Sequence, residues 1–222
     1  MKILIGTPIK DMLPDGYVES LVKMILYTQK QGHEIEYMTQ YGALYNARDM
    51  ICKRAIRGNF DYMLMIDSDQ TFPEDALCRM LARDADIVTG VYVGKEPEHK
   101  PVLFTELHKD DENAGPYSRK HGLKDLMKED LFTVAGTGAG FLLVREHILR
   151  LMKIHMHEWF RPYDGLGEDV SFCQRCTEMG IPVYADNSFP MGHIKYTEYT
   201  IEDWTGVEDE DLDKRRQEML NG

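Results

Sequence analysis

Between Lys2 and Val93 the chain alternates short apolar runs with segments of helical spacing, and this alternation limits the fold more than any other feature. "KILIGTPI" has strand length and ends in a turn-forming Gly-Thr-Pro. Asp15 is placed to cap a following helix, in which Val18, Leu21, Val22, Ile25 and Leu26 recur at helical spacing until a stop at Gly32. "EIEYMT" alternates as a strand does. "ALYNARDMICKRAIRGN" predicts a second helix with Ala47, Met50, Ile51 and Ala55 on one face, ended by Gly58 and Asn59. "DYMLMID" reads as a buried strand, Pro73 suits the first turn of a third helix over "PEDALCRMLARD", and "DIVTGVYV" reads as a fourth strand. The order β-α-β-α-β-α-β predicts an α/β fold, a mostly parallel central sheet flanked by helices on both faces.

After Val93 the rhythm breaks. Residues Gly94 to Asp130 are polar and carry Pro97, Pro101, Gly115, Pro116 and Gly122, with "PVLFTEL" as their single strand-like stretch. A loop-rich insertion of this length marks a lid or a binding region, or a disordered one. "LFTVAGTGAGFLLV" then predicts a glycine turn feeding a strand, "REHILRLMKIH" a helix, "GEDVSFCQRCTEMG" another, and "IPVYAD" a last strand before "MGHIKY". Residues 1–200 are expected to form a single domain containing the 94–130 insertion, and 201–222 an acidic terminal helix or tail.

The 222 residues carry 26 Lys and Arg against 38 Asp and Glu, a formal charge of −12. That balance argues against a broad nucleic-acid-binding face. No run of about 18 apolar residues occurs, so no membrane span is expected. The opening "MKILIGTPIK" turns polar too soon for a secretory signal, which points to a cytoplasmic protein. Cys173 and Cys176 lie three apart without a second metal-ligating pair, and read as buried thiols on one helix face.

Two aspartates one residue apart, Asp67 and Asp69, follow the apolar strand in "LMIDSDQTFPED". Ligands of doubly wound sheets bind at the carboxyl ends of strands, and two short carboxylates there can share a hard divalent cation. Asp69 alone could instead cap the helix near Pro73. With Thr71 the stretch also matches the Asp-x-Asp-x-Thr of a phosphatase class. That class places the motif on its first strand, whereas two βα units precede it here, and "GEDVSF" lacks the second spaced aspartate the class uses.

Five further stretches fall at element boundaries in a consistent order: "GTPI", "LYNARDMICKRA", "GTGAGFLLVRE", "GLGEDVSFCQR" and "GHIK". Together with "LMIDSDQTF" they resemble the family-2-like glycosyltransferases of the A-type fold, over Ile3 to Lys195. The resemblance implies a Rossmann-like A-type fold and an inverting, metal-dependent hexosyltransferase. Such an enzyme moves a sugar from a nucleoside-diphosphate sugar to an acceptor hydroxyl. It implies Asp69 as a ligand of Mn²⁺ or Mg²⁺, Asp67 as a contact to ribose or a metal-bound water, and His193 as an imidazole ligand, which favours Mn²⁺. Asp169 is the implied general base and Glu168 its neighbour that orients the acceptor or a loop.

The donor would lie on Thr7, Pro8 and Ile9 after the first strand and against the Gly136, Thr137 and Gly138 turn. Arg48 and Lys195 are candidates for its diphosphate, each equally readable as a surface cation. Tyr92 and Gly90 could line the sugar pocket. Trp159, Phe160 and Tyr163 could stack on an acceptor sugar, although aromatics as often anchor loop packing. Two other readings stay open. One is a nucleotidyltransferase making sugar nucleotides, which usually carries a basic glycine-rich loop where this chain has "GTPIKDMLPDG". The other is a non-catalytic nucleotide- or carbohydrate-binding module. The acceptor is a glycan, a small molecule or, against the acidic balance, modified DNA.

Overall fold

The computed structural model describes residues 1–96, 99–107, 117–118, 127–162 and 165–196; the expected acidic segment at 201–222 lies outside them. Strand β1 (Lys2–Ile9) is followed by α1 (Asp15–Lys30), β2 (Glu34–Tyr41), α2 (Leu44–Arg57) and β3 (Tyr62–Ile66). Then come β4 (Gln70–Thr71), α3 (Ala76–Ala82) and β5 (Ile87–Gly90). The expected strand at "PVLFTEL" is two short pieces, β6 (Leu103–Phe104) and β7 (Glu106–Leu107), and β7 pairs with β8 (Tyr117–Ser118). The chain continues through β9 (Leu131–Val134), β10 (Gly136–Thr137), β11 (Phe141–Arg145), α4 (Glu146–His155) and α5 (Glu168–Glu178). It ends in β12 (Val183–Asp186) and β13 (Gly192–His193).

Seven strands form the central sheet in the order β2-β1-β3-β11-β5-β12-β9. Five run in one direction, while β11 and the edge strand β9 run against them. The sheet is thus mostly parallel, with one reversed strand between β3 and β5. A parallel neighbour needs a crossover, normally a helix. Among the described residues, short strands and a glycine turn precede β11, which enters antiparallel.

Side chains of the central strands alternate between two apolar layers. Leu4, Met63, Met65, Leu142 and Val144 face Ile51, Cys52 and Ala55 of α2, Ile148 and Met152 of α4, and Phe172, Cys173 and Cys176 of α5. Ile3, Ile5, Leu64, Ile66 and Leu143 face Tyr17, Leu21 and Met24 of α1 and Ala76, Leu77 and Met80 of α3. The four cysteines are free, with Cys173 and Cys176 buried as expected. Among the described residues no helix is long and apolar enough to cross a membrane.

Several local expectations shift. The core face of α1 is Tyr17, Leu21, Met24 and Thr28, whereas Val18, Val22 and Leu26 are exposed. The helix offers two adjacent stripes at helical spacing, and the one that also carries Tyr17 and Met24 takes the core. Asp15 is the first residue of α1 rather than its cap, and Pro14 holds that position. Strand β5 stops at Gly90, and Val91–Val93 leaves the sheet. On α2, Met50 is exposed while Arg48 is buried, a placement taken up below.

Strand β1 and helix α2 approach closely at Gly6. A Cβ there would lie 2.2 Å from Ile51 Cγ2. Gly6→Ala is therefore expected to lower the unfolding free energy by about 1–3 kcal/mol through overpacking. In an Ile51→Ala background the same change costs less, because the obstructing atoms are gone. Denaturant midpoints of the four proteins check this, and additive costs would contradict it.

Candidate functional site

The site gathers where β3 ends. Asp67 follows the strand by one residue, its N–H still donating to the Gly140 carbonyl at 3.0 Å. The chain turns at once, closed by Gln70 N–H to Asp67 O at 3.2 Å. Strand β4 then pairs antiparallel with β13, with His193 opposite Gln70 and Gly192 opposite Thr71. The ribbon is tight: a Cβ on Gly192 would sit 2.2 Å from Thr71 Oγ1. Ile194 N–H donates to the Asp69 carbonyl at 2.7 Å. This ribbon, and nothing nearer in sequence, carries His193 Nε2 to 3.5 Å from Asp69 Oδ2. Asp69 does not cap a helix, since α3 begins at Ala76 with Asp75 at the cap position.

His193 Nδ1 lies 2.7 Å from the Val93 carbonyl oxygen. A carbonyl only accepts, so Nδ1 carries the hydrogen; the imidazolium also presents Nε2–H to Asp69, while the neutral ring leaves a Nε2 lone pair free to ligate. Burial lowers the imidazole pKa, but the Asp69 carboxylate and the Val93 carbonyl outweigh it and the net shift is upward. Burial raises the Asp69 carboxyl, and its bonds to His193 and Lys95 overcome this and hold it at about 2. The Lys95 ammonium lies 2.5 Å from Asp69 Oδ2, while Asp69 Oδ1 is buried without a partner among the described residues.

Arg48 is 2% exposed and forks between two carboxylates. Its Nη2 donates to Asp67 Oδ1 at 2.8 Å and Oδ2 at 3.1 Å, and its Nη1 to Glu168 Oε1 at 2.6 Å. Burial disfavours the charged guanidinium, yet Asp67, Glu168 and Asp169 together raise its pKa above the usual arginine value. Arg48 thus ties the end of β3 to the first turn of α5. Asp169, next on that turn, accepts from Val170 N–H at 2.7 Å. Burial raises the Asp169 carboxyl; Arg48 opposes the shift and Glu168 adds to it, leaving a net rise.

A cavity of about 630 Å³ opens beside these groups, lined by Asp67, Asp69, His193, Asp169, Tyr92 and Lys95 among others. A second, of about 250 Å³, shares Asp67 and Asp69 with it and extends over Pro8, Ile9, Lys10 and Leu44. The two cavities have the aspartates as a common wall.

The remaining candidates fall in different places. Thr7 is fully buried, its hydroxyl bonded to Tyr17. Thr137 is also buried, hydrogen-bonded to Val102 O and Gly138 O. Gly136 pairs with Phe104 in the β10–β6 ribbon. Gly138 gives room to Tyr92, whose hydroxyl oxygen would lie 2.1 Å from a Cβ there, and Gly140 N–H donates to that hydroxyl at 3.1 Å. The glycine turn therefore seats the Tyr92 ring, and the ring, not the turn, faces the cavity. Lys195 lies outside the cavity wall, its ammonium donating to the Lys95 carbonyl at 3.2 Å. Trp159 is 1% exposed and its indole N–H donates to Leu149 O at 2.9 Å, so its ring belongs to the core and offers no face to an acceptor. Phe160 is likewise core, stacked on Phe172 at 4.8 Å. Tyr163 lies outside the described residues. Sequence reasoning passed over Lys95 and Lys100, which both line the larger cavity. They sit in a polar stretch where no periodicity separates a site cation from a solvated one.

Among the described residues, no group of three His, Cys, Asp or Glu side chains gathers as a metal site. Asp69 and His193 make a two-ligand set, and the unpartnered Asp69 Oδ1 with the fixed imidazole tautomer fits a cation whose other positions are filled by water and a phosphate-bearing ligand.

No protein-family model and no curated protein sequence matches the chain. Solved structures do. A197 from STIV is 16% identical with a TM-score of 0.56, over 88% of this chain and 87% of that one. The catalytic domain of Drosophila beta1,4-galactosyltransferase 7, in complex with xylobiose, is 16% identical with a TM-score of 0.54, over 96% and 79%. GalNAc-T7 with UDP, GalNAc and Mn²⁺ is 9% identical with a TM-score of 0.57, over 93% of this chain and 45% of that one. The shared architecture is a mostly parallel sheet between two helical layers, and the chain has the A-type glycosyltransferase fold.

Proposed function

We propose that this protein is a metal-dependent glycosyltransferase that moves a sugar from a nucleoside-diphosphate donor to an acceptor hydroxyl with inversion. One observation carries the reading: Asp69, His193 and Asp169 face a single cavity at the carboxyl ends of the strands. Beta1,4-galactosyltransferase 7, of the same fold, has been solved with manganese, UDP-Gal and xylobiose, which supports a sugar-nucleotide donor and a divalent ion.

On this reading Pro8, Ile9 and Leu44 receive the nucleoside in the smaller cavity, and the diphosphate reaches over Asp69 and His193 into the larger one. Asp69 and His193 would hold a divalent cation, which would supply Lewis-acid stabilisation of charge on the departing diphosphate. Asp67, held by Arg48, keeps its carboxylate fixed at the seam of the two cavities. Asp169 is the general base. Its carboxyl faces the cavity while Glu168 is occupied by Arg48, so Asp169 can take the acceptor proton as oxygen attacks the anomeric carbon. The raised Asp169 pKa makes the carboxylate a stronger base.

A thermal-shift panel of nucleoside-diphosphate sugars with Mn²⁺ or Mg²⁺ tests the assignment. At least one donor is expected to stabilise the protein, and only when the metal is present; Asp69→Asn abolishes the effect. If no sugar nucleotide stabilises the wild-type protein, the assignment falls.

With an active donor found, Asp169→Asn is expected to lower kcat roughly 10²–10⁴-fold with little change in donor binding. Equal losses in binding and turnover would contradict its role as base. In the wild type, kcat/KM should fall as pH drops through the Asp169 pKa, which burial raises above that of an ordinary aspartate. Arg48→Gln removes the charge that opposes this rise, so the acid limb moves to still higher pH. The same change strips two partly exposed carboxylates of their partner. It should cost up to about 3–5 kcal/mol, towards the lower figure because water reaches both acids. Arg48→Lys does not restore the loss, since a single ammonium cannot fork between Asp67 and Glu168. Rate profiles against pH and denaturant melts check these outcomes.

A further inference from the structure

The cavity carries a cation in addition to its acids. Lys95 lies on the loop between β5 and β6, and its ammonium pairs at 2.5 Å with Asp69 Oδ2. Oδ2 is also the oxygen that His193 Nε2 faces at 3.5 Å. The loop base is fixed on both sides: Val102 N–H donates to Tyr92 O at 2.9 Å, Gly94 N–H to Lys100 O at 2.8 Å, and Val93 bridges Pro101. His193 and Lys195 hold the same loop through the Val93 and Lys95 carbonyls. The ammonium ends a flexible four-carbon stem, is about one-third exposed, and can swing into the cavity it lines.

Both Asp67 oxygens already accept from Arg48. Of the aspartate pair, the carboxylate not held by a guanidinium is Asp69, and Lys95 sits on it. We propose that Lys95 is a displaceable internal counter-ion. It holds Asp69 while the site is empty, yields the carboxylate to the metal, and then places its ammonium on the donor's diphosphate. This rests on the metal-dependent reading above. A cation alone must displace the ammonium and leave it beside a second positive charge. A cation that arrives with a diphosphate gives the ammonium a new anionic partner. Metal and diphosphate are thereby coupled, each favouring the other, as linkage requires. In this scheme Lys95 is a donor-binding residue that also sets the order in which ligands are accepted.

The test compares Lys95→Met with the wild type using two probes: Mn²⁺ alone, followed by the electron paramagnetic resonance of the free ion, and the preformed Mn²⁺–pyrophosphate complex, by calorimetry. Neither probe depends on knowing the sugar or the base. Removing the competitor is expected to tighten Mn²⁺ alone by about 2–5-fold, the scale of a partly exposed ion pair. Removing the diphosphate partner is expected to weaken the complex by about tenfold or more. Lys100→Met, in the same cavity, should leave Mn²⁺ alone within about twofold, which separates a paired lysine from a general change of charge. If Lys95→Met leaves Mn²⁺ binding unchanged or weaker, or leaves the complex unchanged, the inference is wrong and the metal-dependent reading stands. If the wild-type protein binds neither probe, both fall together.

Discussion

A buried guanidinium that serves two carboxylates is the constraint on which the rest of the site depends. Arg48 reaches Asp67 at the end of β3 and Glu168 at the start of α5, residues 19 and 120 positions away in sequence. A buried arginine is tolerated only when its charge is matched. Here the match fixes the spacing between the strand end that carries the aspartate pair and the helix end that carries Asp169. The Phe160 ring lies 5.7 Å from the guanidinium carbon, and Phe160 N–H donates to Asp49 on the same helix at 3.0 Å. The segment that leads into α5 is thus anchored on α2 as well. Helix α2 is the beam that joins the two halves of the cavity, and Arg48 is the pin.

That arrangement divides labour among four acidic groups close in space. Asp67 and Glu168 share the single charge of Arg48 and act as fixed structure. Asp69 is drawn low by His193 and Lys95, as a carboxylate meant for a cation is. Asp169 is raised by burial, as a carboxylate meant for a proton is. Environments that push similar groups in opposite directions are a mark of acid–base and metal chemistry in one site. The sheet topology makes this possible, because β11 enters between β3 and β5 and lets the glycine turn seat Tyr92 against the same cavity.

Much of this was legible from residues alone. Apolar period and turn residues located β1, β3, α2, α4 and α5, and the Asp-x-Asp and Glu-Asp stretches fell at the element ends that meet. What could not be read was anything that depends on pairing between distant segments. No local pattern gives the reversal of β11 or its place between β3 and β5. The β4–β13 ribbon joins residues more than a hundred positions apart and alone brings His193 to Asp69. Arg48 was read as a possible diphosphate contact or a surface cation because spacing cannot tell a buried charge from an exposed one. Trp159 and the Gly136–Gly138 turn were assigned to ligands by their chemistry, and packing claims them instead. Lys95 carried no signal at all, since its partner is set by the path of the loop.

The central claim is that Asp69 and His193 hold a divalent cation together with a diphosphate. Nuclear magnetic resonance of the histidine rings, with Mn²⁺–pyrophosphate added in substoichiometric steps, tests it most directly. The account predicts that the His193 ring signals broaden first, while those of His147, beside Asp86 at the opposite end of the sheet, stay sharp. Sharp His193 signals at a point where His147 has already broadened would contradict it.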